Sequence, residues 1–253
     1  MTNNIISLKD KPAQNNALSD RVILITGAGA GIGRAVAIEC ARQGAKVILL
    51  GKTIKKLEKV YDEITELGKH NPAIYPLDLA GAHEKDYEQL ADVIKKEFGH
   101  LDGLLHNASV LGALTPIAMY DAAMWQKVMH VNVTAAFVMT KALLPLLLKS
   151  QDASVVFTSS SVGRKGRAYW GAYSASKFAT ESLMQTLADE YENNKIIRFN
   201  SINPGATHTG MRLSAFPAED KSKIAKPDDL VNAYVYLLSS ESQEANGQMF
   251  DAQ

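Results

Sequence analysis

The sequence predicts an α/β fold: a single domain built on a doubly wound parallel sheet with helices on both faces. Short apolar runs alternate with longer segments of helical spacing along most of the chain, the pattern of strands joined by crossover helices. The apolar runs are hydrophobic on both faces, as strands covered from both sides must be. After residue 20 no linker-like Pro/Gly/Ser stretch, internal repeat or low-complexity block divides the chain. Right-handed crossovers then leave the doubly wound sheet as the topology.

Taken in order, Val22–Thr26 (VILIT) reads as a buried strand. A glycine turn follows, then a helix over Ile32–Gln43 that ends at Gly44. Lys46–Leu50 is a second strand, and Lys52–Leu67 a charged amphipathic helix stopped by Gly68. Ala73–Leu77 is a strand, Glu84–Phe98 a helix ending at Gly99, and Leu101–His106 the next strand. Asp121–Lys149 reads as one long helix entered through an Asp cap. Ser154–Ser159 is a strand, Tyr173–Asn193 a helix and Ile196–Ile202 a strand. Pro227–Ser239 is a helix with proline in its first turn, and Gln248–Asp251 a short last strand. Residues 1–20 are polar and Asn-rich and are expected to form a flexible N-terminal extension, with residues 21–253 as the folded domain.

Composition narrows the function classes. Of 253 residues, 46% are hydrophobic and 21% charged, which excludes a disordered chain or a disulfide framework. Lys+Arg and Asp+Glu are 27 each. A neutral chain lacks the field that draws proteins to nucleic acid or anionic membranes, so neither is expected as a partner. The longest apolar run, Ala142–Leu148, holds seven residues including Pro145, far short of a membrane span. One cysteine, Cys40, excludes an intrachain disulfide and fits a reducing, cytoplasmic setting. Cys40 falls inside the first helix and is expected in the core. None of the six histidines has metal-ligand spacing, so no metal is expected. No serine lies in a GxSxG hydrolase elbow.

The first strand runs into Thr26-Gly27-Ala28-Gly29-Ala30-Gly31-Ile32-Gly33-Arg34. Glycines allow a tight turn and a close approach of backbone to ligand. The helix that follows offers free N–H groups and a positive dipole end to a pyrophosphate. Strand, glycine turn and helix at the first junction together indicate dinucleotide binding. An acidic residue at the end of the second strand would favour NAD. Gly51-Lys52-Thr53 stands there instead, and Lys52 could pair with a 2′-phosphate, which favours NADP(H) and leaves NAD(H) possible. Lys55, Lys56 and Lys59 are expected on a solvated face. Arg34 is a possible second phosphate contact or a surface residue.

Further motifs carry a resemblance. Tyr173-Ser-Ala-Ser-Lys177 matches the YxxxK signature, and the glycine turn the TGxxxGxG pattern, of the short-chain dehydrogenases/reductases. Asn107-Ala108 resembles their NNAG element, Asn132 falls where their catalytic Asn does, and Asn203-Pro204-Gly205 resembles their NPG segment. The resemblance covers roughly residues 20–253. Within the family, LLHNAS, LLPLLLKS, FTSSSVGR, YSASKFATE and FDAQ resemble bacterial YciK-type oxidoreductases.

The resemblance implies a Rossmann fold, a nicotinamide cofactor and hydride transfer to or from a small-molecule carbonyl/alcohol carbon. Carried over, Asn132, Ser160, Tyr173 and Lys177 are the catalytic set, with Ser159 and Ser161 as neighbours that could be confused with Ser160. Gly27, Gly29, Gly31, Ile32 and Gly33 would hold the pyrophosphate. Asp78 and Leu79 would flank the adenine, and Asn107 and Ala108 would line the cofactor. Tyr173 and Lys177 also bind it, and Pro204, Gly205, Thr207 and Thr209 contact its nicotinamide side. Tyr173 and Lys177 are four apart and share a helix face, so an ammonium beside the phenol is expected to bring its pKa down. Two positions depart from the family pattern: Ser109 replaces the glycine after Asn-Ala, and Ala30 stands where many NADP-using relatives carry Arg or Lys. Val110-Leu111, Arg164–Trp170 and the segment after Thr209 would build the substrate region, with Tyr169, Trp170, Met211 and Phe216 as its apolar lining and a small or open lid. Relatives assemble as dimers or tetramers through the two long helices, so a homodimer or homotetramer is expected. The rival reading is a dinucleotide-binding regulator without turnover.

Overall fold

The computed structural model describes residues 5–9, 11–12 and 15–253. Strands β1 (Ile5–Ser7), β2 (Val22–Thr26), β3 (Lys46–Gly51), β4 (Ala73–Pro76), β5 (Gly103–His106), β6 (Ala153–Thr158), β7 (Ile197–Asn203) and β8 (Met249–Asp251) form one sheet. Its order is β1-β8-β7-β6-β5-β2-β3-β4, and every pairing is parallel. The predicted α/β doubly wound architecture is therefore the observed one. The strands read as apolar runs because β2, β5 and β6 are buried along their whole length.

Helices α1 (Gly31–Arg42), α2 (Ile54–Thr65), α3 (Glu84–Glu97), α4 (Ala122–Met129), α5 (Ala135–Leu147), α6 (Gly171–Glu190), α7 (Gly210–Ala215) and α8 (Val231–Leu238) complete the domain. Two apolar cores result, one on each sheet face. Leu90 and Ile94 of α3, Met139 and Leu143 of α5 and Met184 of α6 pack on one face. Val36 and Cys40 of α1, Leu57 and Val60 of α2, and Tyr234 and Leu237 of α8 pack on the other. Cys40 is fully buried as expected, and burial pushes its thiol pKa up.

Two local expectations are corrected. The N-terminal segment is not loosely held throughout: β1 pairs with β8, Leu8 N–H donates to Asp251 O at 2.7 Å, and Leu18 is fully buried. Both isoleucines of β1 stay exposed, so its hold comes from backbone pairing to the open edge of β8 and from buried Leu8. Residues 1–4, 10, 13 and 14 of that segment lie outside the described residues. The long helix over 121–149 is not uniform either. Asp121 caps it, accepting from Met124 N–H at 2.7 Å, but a π-helical turn at His130–Thr134 separates α4 from α5. Residues 210–215, in the segment expected to form a small or open lid, are a short helix, α7, capped by the Thr209 hydroxyl. The span Ala122–Leu147 is 26 residues long and apolar enough to cross a membrane, yet half of its most apolar window is buried inside the molecule. It is the helix that covers the middle of the sheet.

From β2 the chain steps outward to β3 and β4, then returns to place β5 on the other side of β2. A crevice must open where the winding reverses, beyond the carboxyl ends of β2 and β5.

Candidate active site

At that crevice the β2–α1 turn and the end of β5 are tied together. Thr26 Oγ1 accepts from Asn107 N–H at 2.9 Å and Ala108 N–H at 3.0 Å, and Asn107 Nδ2 donates to Thr26 O at 3.1 Å. Gly27 has φ +68° and leaves only 3.1 Å between a hypothetical Cβ and Ala108 Cα. A Cβ on Gly33 would collide with the Gly27 carbonyl oxygen. Gly33 thus makes the turn close on itself, while Gly27, Gly29, Gly31 and Ile32 line the cleft above it.

The N-terminus of α1 has no side-chain cap. Its first N–H groups point into the cleft with the positive end of the helix dipole. The donor set fits a pyrophosphate, and the bare glycines leave it room. The cleft is about 500 Å³ and continuous from Lys52, Asp78 and Leu79 at one end to Tyr173 and Lys177 at the other. Asn107, Ala108, Pro204, Gly205, Thr207 and Thr209 also line it. Lys52 is exposed and makes no ion pair among the described residues. Lys56 is exposed, as expected of a solvated face, and it also lines the cleft, its Cβ packed beneath Gly29. Arg34, expected as a second phosphate contact or a surface residue, pairs at the surface with Glu63.

At the other end, α6 presents Tyr173 and Lys177 one turn apart toward the end of β6. Lys177 Nζ donates to Thr158 O at 2.7 Å and lies 5.5 Å from the Tyr173 ring centre. The three adjacent serines separate cleanly. Ser159 points into the protein, Ser161 is exposed, and Ser160 lines the cleft with its hydroxyl toward the Tyr173 phenol. Asn132 lies behind the cleft in the π-helical turn. Its Oδ1 accepts from Val110 N–H at 2.9 Å, and its Nδ2 donates to Val110 O and Ser176 Oγ at 3.0 Å. A second cavity of about 10 Å³, lined by Asn132, Lys177, Thr180, Thr158 and His106, has room for about one water.

A sequence profile of the short chain dehydrogenases matches residues 21–220. The chain belongs to the short-chain dehydrogenase family. The oxidoreductase YciK of Escherichia coli K12 is 51% identical over 240 residues, 95% of this chain and 94% of its own. The crystal structure of a short chain dehydrogenase from Pseudomonas syringae superposes with a TM-score of 0.95 at 52% identity, covering 96% and 99% of the two chains. One from E. coli CFT073, complexed with NADPH, superposes with a TM-score of 0.91 at 51% identity, covering 95% and 100%. The expected resemblance to YciK-type oxidoreductases is thereby borne out.

Electrostatics of this dehydrogenase site depart from the sequence expectation in one respect. Burial pushes the Tyr173 phenol up to about 12, opposed by the Ser160 and Ser109 hydroxyls, whereas proximity to Lys177 was expected to bring it down. Burial also pushes Lys177 down to about 8, opposed by the Glu181 carboxylate. Desolvation disfavours the charged form of both groups, so the phenol keeps its proton at neutral pH in the protein alone. Ser109 Oγ is shielded from solvent and lacks an aligned hydrogen bond, although it lies near enough to the phenol to favour its ionised form.

The substrate end is only partly as expected. Val110, Leu111, Trp170 and Met211 line the cleft. Tyr169 is 60% exposed and outside it. Phe216 backs Trp170, with ring centres 5.8 Å apart, under the Arg212 guanidinium. Arg164 turns inward to Asp251 at 2.6 Å. Sequence reasoning missed Glu181 and Ser201, because neither belongs to a spaced motif. Among the described residues no cluster of His, Cys, Asp and Glu could hold a metal.

Proposed function

We propose that this chain is an NADP(H)-dependent oxidoreductase that interconverts a small-molecule carbonyl and its alcohol, with Tyr173 as general acid and base. The observation that carries the reading is one continuous cleft joining an uncapped helix N-terminus and Lys52 to Ser160, Tyr173 and Lys177. The NADPH bound by the related E. coli protein supports the choice of cofactor.

Gly27, Gly29, Gly31 and Ile32 would hold the pyrophosphate, Lys52 with Lys56 a 2′-phosphate, and Asp78 and Leu79 the adenine side. The bound cofactor supplies or accepts the hydride. Ser160 orients the substrate oxygen beside the Tyr173 hydroxyl. In reduction Tyr173 gives its proton to that oxygen as negative charge builds there. The Lys177 ammonium stabilises the phenolate left behind. Asn132 and the small cavity behind Lys177 offer a place for a water that returns the proton. Trp170, Leu111 and Met211 favour a substrate with an apolar body.

The test is Tyr173→Phe, assayed with NADPH against a panel of apolar and aromatic carbonyl compounds. NADPH binding, read by fluorescence titration, should persist while turnover falls by about 10²-fold or more. Turnover that survives the substitution would overturn the acid–base role and leave a binding protein. Lys52→Asp should weaken NADPH binding and leave NADH binding little changed; the reverse would favour NAD(H), as Ala30 at the helix entry allows. The half-exposed Phe137 of α5 and Phe178 of α6, at 49% and 44%, support self-association of these helices in a homodimer or homotetramer. A monomer in sedimentation at micromolar concentration would sink that part. A buried, unpaired Cys40 is consistent with work in the cytoplasm.

A further inference from the structure

Three successive residues at the end of β6 meet three successive turns of α6. Thr158 O accepts from Lys177 Nζ at 2.7 Å. Ser159 Oγ donates to Glu181 Oε1 at 2.5 Å. Ser160 faces the Tyr173 phenol. Residues 173, 177 and 181 are spaced by four and share one helix face. Successive strand-end residues thus meet the middle, last and first of these turns.

Glu181 is almost completely buried. A buried carboxylate needs hydrogen bonds and a counter-charge. Its second oxygen, Oε2, accepts from Ser201 Oγ on β7 at 2.5 Å. One cation pairs with it: Arg164, whose Nε lies 3.5 Å from Oε1 and has no aligned hydrogen bond of its own. The Lys177 ammonium, one turn earlier, lies beyond ion-pair distance but within reach of its charge. Arg164 spends its other nitrogens on Asp251 Oδ1 at 2.6 Å and Phe250 O at 2.9 Å, both on β8. Arg164 and Asp251 are thus paired with each other, and Lys177 faces no other carboxylate. The remaining titratable groups around Lys177 are Tyr173 on its own helix and His106 on β5, which burial keeps neutral.

We propose that Glu181 is a positioning residue of the active site: its carboxylate holds Lys177 as an ammonium and, through Ser159, fixes the strand end that carries Ser160. Removing a carboxylate from the face of a buried ammonium favours the neutral amine. The inference rests on the reading of Lys177 as the partner of Tyr173.

The experiment is a pH titration of the Lys177 amino group by NMR in the full-length protein labelled with ¹⁵N-lysine. The signal is assigned by its loss in Lys177→Arg. Glu181→Gln keeps the shape and removes the charge. It should lower the Lys177 midpoint by about one pH unit, a tenfold loss of proton affinity. Ser201→Ala removes a donor that disperses the carboxylate charge, so the midpoint should rise. An unmoved midpoint in Glu181→Gln, or a lowered one in Ser201→Ala, overturns the proposal. Should Glu181→Gln fail to fold, the Ser201→Ala arm decides alone. The reading beneath it fails separately, if Lys177→Arg retains full turnover.

Discussion

His106 shows how one residue can couple the site to acid stability. Its ring stacks on Phe157 with centres 4.8 Å apart, and Nε2 meets Thr140 Oγ1 at 2.8 Å. Thr140 donates its own proton to Ala136 O, so it accepts from the ring, which assigns the proton to Nε2. Burial, with a smaller push from Lys177, lowers the His106 pKa to about 3. The unfolded chain therefore binds the extra proton first, below pH ~6.5. The stability contributed by neutral His106 is complete above that pH and is lost as pH falls toward 3. At pH 4 the loss amounts to about 3 kcal/mol. Unfolding by urea across pH 7 to 4 should show it, and His106→Phe should flatten that slope; an unchanged slope would place the acid sensitivity elsewhere. The shared face of Tyr173 and Lys177 was legible at this scale because residues four apart on a helix point the same way. The choice of Ser160 over Ser159 and Ser161 came from the resemblance, because helix and strand patterns do not say which side of a strand end each hydroxyl leaves. Glu181 was invisible for a related reason: one acidic residue inside a helix gives no hint that two strands enclose it.

Elements carry the next layer of meaning. Gly33 is the second residue after the start of α1 with no room for a side chain, because the Gly27 carbonyl occupies the space a Cβ would need. Gly33→Ala should lift α1 off β2 and cost about 1–3 kcal/mol, read as a lower Tm together with weakened NADPH binding. A variant with unchanged Tm would show that the turn relaxes cheaply. Gly163 does similar work for α6: a Cβ there would stand 2.7 Å from Lys177 Cβ. The buried strands were readable to within a residue or two, since both faces had to be apolar. The π-helical turn at His130–Thr134 was not. Its residues have ordinary helical preferences, and the wider turn follows from what Asn132 must reach, namely Val110 on one side and Ser176 on the other. Such widened turns recur at functional sites.

At the scale of the whole molecule, the two ends of the sheet differ in kind. The carboxyl end opens into the cleft. At the amino end Asp152 receives Arg21, Arg198 and Ser240, and Asp102 receives Val22 N–H and Ser150, which laces β2, β5, β6 and β7 together. Removal of residues 1–9 touches neither set. It strips β1 from β8 and exposes the pocket of Leu8, so stability should fall by about 2 kcal/mol while NADPH binding is retained. The truncated protein should also self-associate more readily through the bared edge; light scattering that shows no change would count against this. β1 escaped sequence reading because a three-residue strand in a polar segment has no pattern, and its partner lies at the far end of the chain.

That pairing also orders events in time. Ile5 leaves the ribosome long before Met249, its partner across the sheet edge. While every other strand is being made, β1 has nothing to bind. The sheet grows outward from β2, and its edge row of hydrogen bonds waits for β8. A nascent chain stalled just short of β8 would hold an almost finished sheet with β1 unpaired, and proteases could tell it from the finished domain by that strand alone.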